Sequence, residues 1–163
     1  MARVFVGIGS NLRPRRNLRF AVAELGRRFG ALTLSPVYRN PAVGFDGADF
    51  LNMVAAFDAT AQPEALCGEF AQIHELAGRT RGAQRFVSRT LDIDLLLYDD
   101  RVADRPPLPR DDILDYAFVL KPLVDIEPDR VHPGTGRTLR EHWDELRRQP
   151  HSLHRVDIRF DDG

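Results

Sequence analysis

The sequence predicts an α+β protein built on an antiparallel sheet, and two observations support this prediction. Segments with strand-like alternation and segments with helical spacing of apolar residues follow one another in the order β-α-β-β-α-β. Proline or glycine marks the start or the end of both predicted helices. At 163 residues and 43% hydrophobic content, the chain suits one domain, which we expect to span residues 1–163.

The first half of this pattern is a strand, a helix and a second strand. Residues 3–9 alternate small, apolar and β-branched side chains and then enter a tight Gly-Ser-Asn loop. Pro14 suits the first turn of a helix, and Gly30 ends it. Between them, apolar residues recur at helical spacing, namely Leu18, Val22, Leu25 and Phe29. We predict the second strand over residues 32–38.

The second half repeats the pattern and completes the predicted fold. Residues 52–58 form a third predicted strand, Pro63 opens a second helix that Gly78 ends, and residues 90–98 form the strongest predicted strand. This order is typical of the ferredoxin-like βαββαβ arrangement, an antiparallel sheet with helices packed on one face. We expect extra C-terminal elements after residue 99, with helices from 116 towards 124 and over 138–148.

Composition excludes several classes of partner. With 23 basic and 24 acidic side chains the formal net charge is −1, so the average surface does not attract nucleic acid or anionic membranes. No apolar run approaches the ~20 residues of a membrane-spanning helix, and glycines interrupt the opening apolar stretch before it resembles a signal peptide. The single cysteine, Cys67, cannot form an internal disulfide. We expect a cytoplasmic protein.

Asp92 and Asp94 are the first candidate functional residues. Strand alternation places the apolar residues at 91, 93, 95 and 97 on one face and both aspartates on the other, about 7 Å apart along the strand. Two such carboxylates repel each other and favour a neighbouring positive charge. Mg²⁺ suits this position because it takes one or two carboxylates together with phosphate oxygens and water. A solvated sheet face, or neutralisation by arginine, is the alternative.

A basic loop leads directly into the aspartate strand. It carries four arginines and no acidic residue after Gly78, namely Arg79, Arg81, Arg85 and Arg89. Guanidinium groups match phosphate oxygens and stabilise the charge that develops in phosphoryl transfer. Together the loop and the carboxylates predict metal-assisted transfer from a polyphosphate. Arg89 has a structural alternative, pairing with Asp92 or Asp94, and Arg85 has a solvated surface position as its alternative.

Other polar features favour structural roles. The glycines of Gly7-Ile8-Gly9 are more typical of close packing than of a phosphate loop, and the P-loop pattern is absent from the sequence. Asn11 is interpreted as a helix cap or as a contact that fixes its loop. His74 lies on the apolar side of the second predicted helix, so we expect a hydrogen-bonded histidine at the edge of the core. His151 and His154 do not match a zinc pattern.

Several short motifs follow one another in a fixed order along most of the chain. They are Gly9-Ser10-Asn11-Leu12, Tyr38-Arg39-Asn40-Pro41 with Gly44, Phe50-Leu51-Asn52, Gly78-Arg79-Thr80-Arg81, Arg89 through Tyr98, and Phe118-Val119-Leu120 with Pro122-Leu123. This series resembles the 6-hydroxymethyl-7,8-dihydropterin pyrophosphokinases of folate biosynthesis. The resemblance implies a ferredoxin-like fold with mobile loops that close over the substrates.

The resemblance also implies a reaction and a set of site residues. It implies an ATP-dependent diphosphotransferase that releases AMP, with two Mg²⁺ ions held by Asp92 and Asp94, and a monomer or weak dimer. The catalytic residues would be Asp92, Asp94, Arg79 and Arg89. Phosphate-binding residues would be Arg79, Arg81, Arg89 and Arg110. The pterin would contact Asn40, Pro41, Val43, Gly44, Phe50, Asn52 and Phe118.

The chain departs from the family pattern mainly in its loops. Arg110 follows Pro109 where the family has a histidine, and Tyr116 replaces an arginine. Residues 86–88 lack the tryptophan and Gly-Pro of the family, and His74 replaces an acidic residue. These departures leave two alternatives. One is a divergent paralogue that acts on another pterin-like alcohol, and the other is a noncatalytic module that binds nucleotide or pterin.

Overall fold

The computed structural model describes residues 1–42, 47–78 and 91–160. Its strands are Ala2–Ser10 (β1), Thr33–Leu34 (β2), Val37–Asn40 (β3), Phe50–Ala59 (β4), Asp92–Tyr98 (β5), Ala103–Asp104 (β6), Pro107–Leu108 (β7) and His154–Val156 (β8). Its helices are Pro14–Phe29 (α1), Pro63–Leu76 (α2), Asp112–Asp115 (α3), Ala117–Ile126 (α4) and Leu139–Leu146 (α5). The predicted combination of helices with an antiparallel sheet is confirmed.

The main sheet has the strand order β5-β1-β4-β3-β8, and β2 also pairs with β4. All of these neighbours are antiparallel. Because β1 lies between β4 and β5, Gly9 is opposite Asn52 on one side and Asp92 on the other. The register therefore places residues from three strands side by side at one end of the sheet.

Helices α1 and α2 cover one face of this sheet. Alternate residues of the central strands, such as Val6 and Phe57, pack there against Leu18 of α1 and Phe70 of α2. The ring of Phe29 stacks on that of Phe57 with 4.4 Å between centroids. Burial of this apolar surface is the main favourable contribution to folding.

The predicted extra C-terminal elements form a second helical layer on the opposite face. Phe5 of β1 and Val54 of β4 pack there against buried residues of the last three helices, namely Ile113, Leu120, Leu123, Val124 and Leu139. Helix α5 begins with a capping box, in which Thr138 accepts from the backbone N–H of Glu141 and the Glu141 carboxylate accepts from that of Thr138. None of the helices in the described ranges is long and apolar enough to cross a membrane.

A β-bulge in β5 corrects one prediction from strand alternation. Phe5 is opposite Leu97 whereas Val6 is opposite Leu95, so Leu96 is an extra residue in β5. As a result Leu97 packs with Phe5 on the second face, and the prediction that it shares a face with Leu95 is wrong. The aspartates precede the bulge and keep the predicted alternation.

The strand predicted over residues 32–38 is two short strands. Ser35 and Pro36 separate β2 from β3. Ser35 remains bonded to β4, because its N–H donates to the carbonyl of Val54 at 2.9 Å and its hydroxyl accepts from the Val54 N–H at 2.8 Å. Proline has no N–H to donate to a ladder, so the regular pairing stops there.

Strand β8 was not predicted, and it extends the sheet beyond β3. Val156 pairs opposite Val37. Two arginines of α1, Arg15 and Arg19, then donate to the backbone carbonyls of Asp157 and Arg159, each at 3.1 Å. These bonds hold the segment after β8 against α1.

Candidate active site

Two glycines of β1 form the floor of a cavity on the second face of the sheet. Gly9 lies between Asn52 and Asp92, and Gly7 lies between Val54 and Asp94. A Cβ atom on Gly9 would lie 2.5 Å from Oδ1 of Asn52, closer than side chains tolerate. Glycine at this position therefore permits a close approach of Asn52, which agrees with the close-packing interpretation of the sequence.

A pair of amides forms one wall of the cavity. Nδ2 of Asn52 donates to Oδ1 of Asn40 at 2.6 Å, and Nδ2 of Asn40 donates to the carbonyl of Pro41 at 3.0 Å. Asn40 is buried. This chain of hydrogen bonds fixes the Asn52 amide before any ligand binds, with Oδ1 directed over Gly9.

Aromatic side chains form the next part of the wall. The rings of Tyr116 and Phe118 stack with 4.9 Å between centroids and 23° between planes, and Phe50 also lines the cavity. Tyr116 is the extended residue between α3 and α4, and its backbone N–H donates to the carbonyl of Asp112 at 3.1 Å. Both helices thus hold the stacked rings in place.

Three aspartates, Asp92, Asp94 and Asp112, line the other end of the cavity. The side chains of Asp94 and Asp112 are 44% and 37% exposed, so water and ligands can reach them. Within the described ranges no group of three or more His, Cys, Asp or Glu could hold a metal ion. Mg²⁺ takes only one or two protein carboxylates together with phosphate oxygens and water, so the carboxylates of this lining would suit it.

Arg110 contacts this acidic end from its side. Its Nε donates to Oδ2 of Asp112 at 3.0 Å, and its Nη2 lies 3.8 Å from Oδ1 of Asp94. The backbone N–H of Arg110 donates to the carbonyl of Leu96, the extra residue of the bulge, at 3.0 Å. Burial lowers the pKa of the Arg110 guanidinium, but the negative charges of Asp94, Asp112 and Asp92 outweigh burial and raise it. Arg110 is therefore a fixed cation.

The cavity has a volume of about 390 Å³ and brings together six of the predicted site residues. They are Asn40, Phe50, Asn52, Asp92, Asp94 and Phe118. Pro41 lines an adjoining cavity of about 260 Å³, which shares Asn40, Tyr116 and Phe118 with the first. Arg110 lies outside both linings. The other predicted site residues, Val43, Gly44, Arg79, Arg81 and Arg89, lie outside the described residues.

The sequence did not single out Asp112 as a site residue. It contributes to the acidic end only because the loop after β7 returns to the bulge of β5, where Arg110 bonds to Leu96. The spacing of Asp112 from Asp94 along the chain carries no signal of this proximity. Tyr116 was noted only as a departure from the family pattern, yet its ring completes the aromatic wall.

His74 supports the acidic strand from α2. Its Nε2 accepts a hydrogen bond from the backbone N–H of Ile93 at 2.8 Å. The prediction of a hydrogen-bonded histidine at the edge of the core is confirmed.

Asn11 fixes its loop and does not cap α1. Its Nδ2 donates to the carbonyl of Ala48 at 3.1 Å. The residue that precedes α1 is Arg13, which makes no side-chain cap bond. Of the two interpretations of Asn11, the loop contact is confirmed.

The cavity thus combines a flat amide-and-aromatic slot, suited to a planar heterocycle, with a carboxylate pair suited to a hard cation. The family model described as 7,8-dihydro-6-hydroxymethylpterin-pyrophosphokinase (HPPK) matches residues 5–128. The chain belongs to this family.

Two similar proteins are named 2-amino-4-hydroxy-6-hydroxymethyldihydropteridine pyrophosphokinase. The protein from Pseudomonas aeruginosa is 37% identical over 145 residues, which cover 85% of this chain and 88% of the relative. The protein from Methylorubrum extorquens is 36% identical over 163 residues, which cover 96% of this chain and 100% of the relative. Family membership therefore rests on similarity along almost the whole chain.

Solved structures share the fold at low sequence identity. The crystal structure of wild-type Plasmodium falciparum HPPK-DHPS matches 89% of this chain with a TM-score of 0.72 and 11% identity. An HPPK-DHPS crystal structure in complex with substrates matches 89% with a TM-score of 0.73 and 10% identity. This chain covers 44% and 43% of those two longer chains.

Proposed function

We propose that this protein transfers the diphosphate of ATP to the hydroxymethyl group of 6-hydroxymethyl-7,8-dihydropterin and releases AMP, a step of folate biosynthesis. The observation that carries the proposal is a single cavity that joins an amide-and-aromatic end, Asn40, Asn52, Phe50 and Phe118, to an acidic end, Asp92 and Asp94. Membership of the pyrophosphokinase family supports the same reaction.

The amide-and-aromatic end binds the pterin in this proposal. A pterin is a flat bicyclic ring whose edge alternates hydrogen-bond donors and acceptors. The hydrogen bond from Asn52 to Asn40 presets an amide for that edge, and Phe118, stacked on Tyr116, offers a flat apolar surface for the ring. Pro41, Val43, Gly44 and Phe50 complete the slot by family resemblance.

The acidic end binds magnesium in this proposal. Asp92 and Asp94 are oxygen donors on one face of β5 and line the cavity, so the donor set suits a hard cation that also keeps phosphate and water ligands. They would hold two Mg²⁺ ions, which when bound neutralise phosphate charge and orient the β-phosphate.

Arginines hold the phosphates of ATP in this proposal. Arg79, Arg81 and Arg89 are assigned by family resemblance, as the basic loop leads into β5. For Arg110 the support is its position beside Asp94 and Asp112. Guanidinium groups on the transferred group compensate the charge that develops on its oxygens.

The reaction needs no protein nucleophile. The hydroxymethyl oxygen of the pterin forms a bond to the β-phosphorus of ATP, and the bond from that phosphorus to the oxygen bridging to the α-phosphorus breaks. AMP leaves with the bonding electron pair, and the hydroxyl proton passes to solvent. The protein contributes orientation and charge compensation, which can supply most of the acceleration.

The finer fold assignment is a ferredoxin-like single domain over residues 1–163. Its support is the strand order β5-β1-β4-β3, in which α1 follows β1 and α2 follows β4. We further propose a monomer or weak dimer that acts in the cytoplasm. The support for the cytoplasm is the single cysteine, which cannot form an internal disulfide.

Formation of AMP from ATP and 6-hydroxymethyl-7,8-dihydropterin, with and without Mg²⁺, tests the proposal. We expect Mg²⁺-dependent AMP from the wild type and almost none from Asp94→Asn. Asp100→Asn is the matched control, because it makes the same charge change at an exposed residue just beyond the other end of β5. ATP binding without AMP formation in the wild type would overturn the proposal and favour another acceptor or a binding role.

A further inference from the structure

Arg110 forms a charged bridge between two carboxylates of the cavity. Its Nε is bonded to Asp112 at 3.0 Å and its Nη2 lies 3.8 Å from Asp94. The side chain is 33% exposed, so this contact is partly shielded from solvent. The backbone bond from Arg110 to Leu96 fixes the start of the side chain against β5. The guanidinium is thus held beside the acidic end.

The oxygen that faces Arg110 belongs to a carboxylate that the proposed function assigns to magnesium. Oδ1 of Asp94 is the atom within 3.8 Å of the guanidinium. A divalent cation on Asp94 and the cation of Arg110 repel each other across a few ångströms. Phosphate oxygens offset this repulsion, because they attract both the metal and the guanidinium.

We propose that Arg110 is a built-in counter-cation that opposes the binding of free divalent metal at Asp94 and makes tight metal binding depend on the nucleotide. This inference rests on the proposed function of the acidic end. Without nucleotide, Arg110 compensates part of the charge of Asp94. When the phosphates of the nucleotide bind, the guanidinium contacts them instead of Asp94. The Asp94 carboxylate can then bind the metal. Metal and nucleotide then bind with positive coupling, which is reciprocal.

Asp112 is a positioning residue in this arrangement. Its bond to Nε leaves Nη2 of Arg110 to face Asp94. Without the charge of Asp112, the positive charge of Arg110 would act more strongly on Asp94 alone. Neutralising Arg110 and neutralising Asp112 should therefore change metal affinity in opposite directions, an outcome that a purely structural role would not produce.

Binding of Mn²⁺ alone, measured from the electron paramagnetic resonance signal of the free ion, tests this inference. We expect Arg110→Gln to bind Mn²⁺ about three- to tenfold more tightly than the wild type, since a repulsive unit charge is removed nearby. Arg110→Lys, which keeps the charge, should stay closer to the wild type than to Arg110→Gln. Asp112→Asn should bind Mn²⁺ about threefold more weakly.

Arg101→Gln is the matched control. It removes one guanidinium beyond the far end of β5, where Arg101 lies over the ring of Tyr98 and donates to Gln62. Its Mn²⁺ affinity should equal that of the wild type. An equal gain in Arg101→Gln and Arg110→Gln would reduce the effect to overall charge and overturn the inference.

A second titration, in the presence of α,β-methylene ATP, measures the coupling. We expect the nucleotide to tighten Mn²⁺ binding less in Arg110→Gln than in the wild type, by at least about threefold. Equal tightening in both proteins would contradict the inference.

Asp94→Asn separates failure of the inference from failure of the proposed function. If Asp94→Asn weakens Mn²⁺ binding but Arg110→Gln does not strengthen it, the metal assignment stands and the role of Arg110 is wrong. If Asp94→Asn binds Mn²⁺ as the wild type does, the metal assignment itself is wrong and the inference fails with it.

Discussion

The two ends of the cavity are the amide-and-aromatic end, called the amide end below, and the acidic end. Different interactions hold their side chains in place. At the amide end, the Asn52 side chain is already bonded to Asn40, and the ring of Phe118 is already stacked on Tyr116. At the acidic end, charges face one another, and Arg110 is shared between Asp94 and Asp112. The amide end is preorganised by neutral hydrogen bonds and packing. At the acidic end, a bound cation or phosphate must change the interaction of Arg110 with Asp94 and Asp112.

This difference predicts that the two ends respond to different measurements. A preorganised slot gives selectivity for one ring shape, because its hydrogen-bond groups are fixed before binding. A charged end contributes chiefly to the transition state, where the transferred phosphate develops charge. Changes at the amide end should alter pterin affinity, and changes at the acidic end should alter metal binding and turnover.

The largest expected effect is at Asp94. Replacing it with asparagine keeps the shape of the side chain but removes the charge that would hold the metal, so kcat should fall at least about 100-fold. Steady-state AMP formation at saturating ATP and Mg²⁺ measures this change. A kcat within about threefold of the Asp100→Asn control would contradict the metal assignment.

Gly9→Ala should damage the amide end. Its Cβ would lie 2.5 Å from Oδ1 of Asn52, so the amide must move, and we expect pterin affinity to fall about 10-fold or more. Gly68→Ala is the control away from the cavity, since nothing lies within 4 Å of its Cβ. Pterin fluorescence titration of both variants measures the contrast. Similar affinities would show that the position of Asn52 does not control the slot.

His74→Ala tests the support of the acidic strand. The change removes the acceptor of the Ile93 N–H, so the free energy of unfolding should fall by about 1–2 kcal/mol. Urea unfolding measures it. Glu75→Ala, at the neighbouring exposed position, should remain within about 0.5 kcal/mol of the wild type. Equal losses in the two variants would assign the effect to the helix and not to the hydrogen bond.

Asn40→Ala should have a smaller effect on the amide end than Gly9→Ala. Asn52 loses its fixed acceptor but keeps its place, so the pterin dissociation constant should rise about fivefold, the equivalent of one hydrogen bond. Calorimetric titration with the pterin measures this change, and Mn²⁺ binding should not change. A parallel loss of Mn²⁺ affinity would mean that the two ends are not independent.

The smallest expected effect is a pH dependence of stability at His132, in the loop before α5. Its buried Nδ1 accepts from the backbone N–H groups of Gly134 and Thr135, at 3.1 and 3.2 Å. Burial first, and then the nearby His142, lower its pKa, so the folded protein favours the neutral ring. The unfolded chain therefore takes up protons first as the pH falls below about 6.5, and stability declines from there towards the folded pKa.

Thermal unfolding between pH 7.5 and 5.5 measures this decline. His132→Asn keeps an acceptor oxygen near the position of Nδ1 and does not titrate, so its melting temperature should fall less over that range. A steeper fall in the variant than in the wild type would contradict the assignment to His132.

Much of the fold is predictable because it depends on local patterns. Alternation in β1 and β4, and helical spacing between Pro14 and Gly30, depend on neighbours along the chain. The bulge at Leu96 is not predictable in the same way, because residues 95–97 are all leucine and each suits either face of the sheet. Strand β8 is three residues long and mostly exposed, so it has no apolar alternation, and it exists through its pairing with β3.

The candidate site shows the same division. Asp92 and Asp94 are found from their spacing on one strand, and Asn52 from family resemblance. Asp112 lies at the acidic end only because a distant loop returns to β5, which no local pattern encodes. The link from Asn40 to Asn52 likewise depends on the register of β3 with β4, which the sequence does not specify.

The most direct test of the division between the two ends is the pterin affinity of Asn52→Ala and Asp94→Asn, measured side by side by fluorescence titration in the absence of ATP. We expect Asn52→Ala to weaken binding at least about 10-fold, because the proposed function places the Asn52 amide at the edge of the pterin, and Asp94→Asn to remain within about twofold of the wild type. Equal losses in the two variants would contradict the assignment of separate ends to pterin and metal.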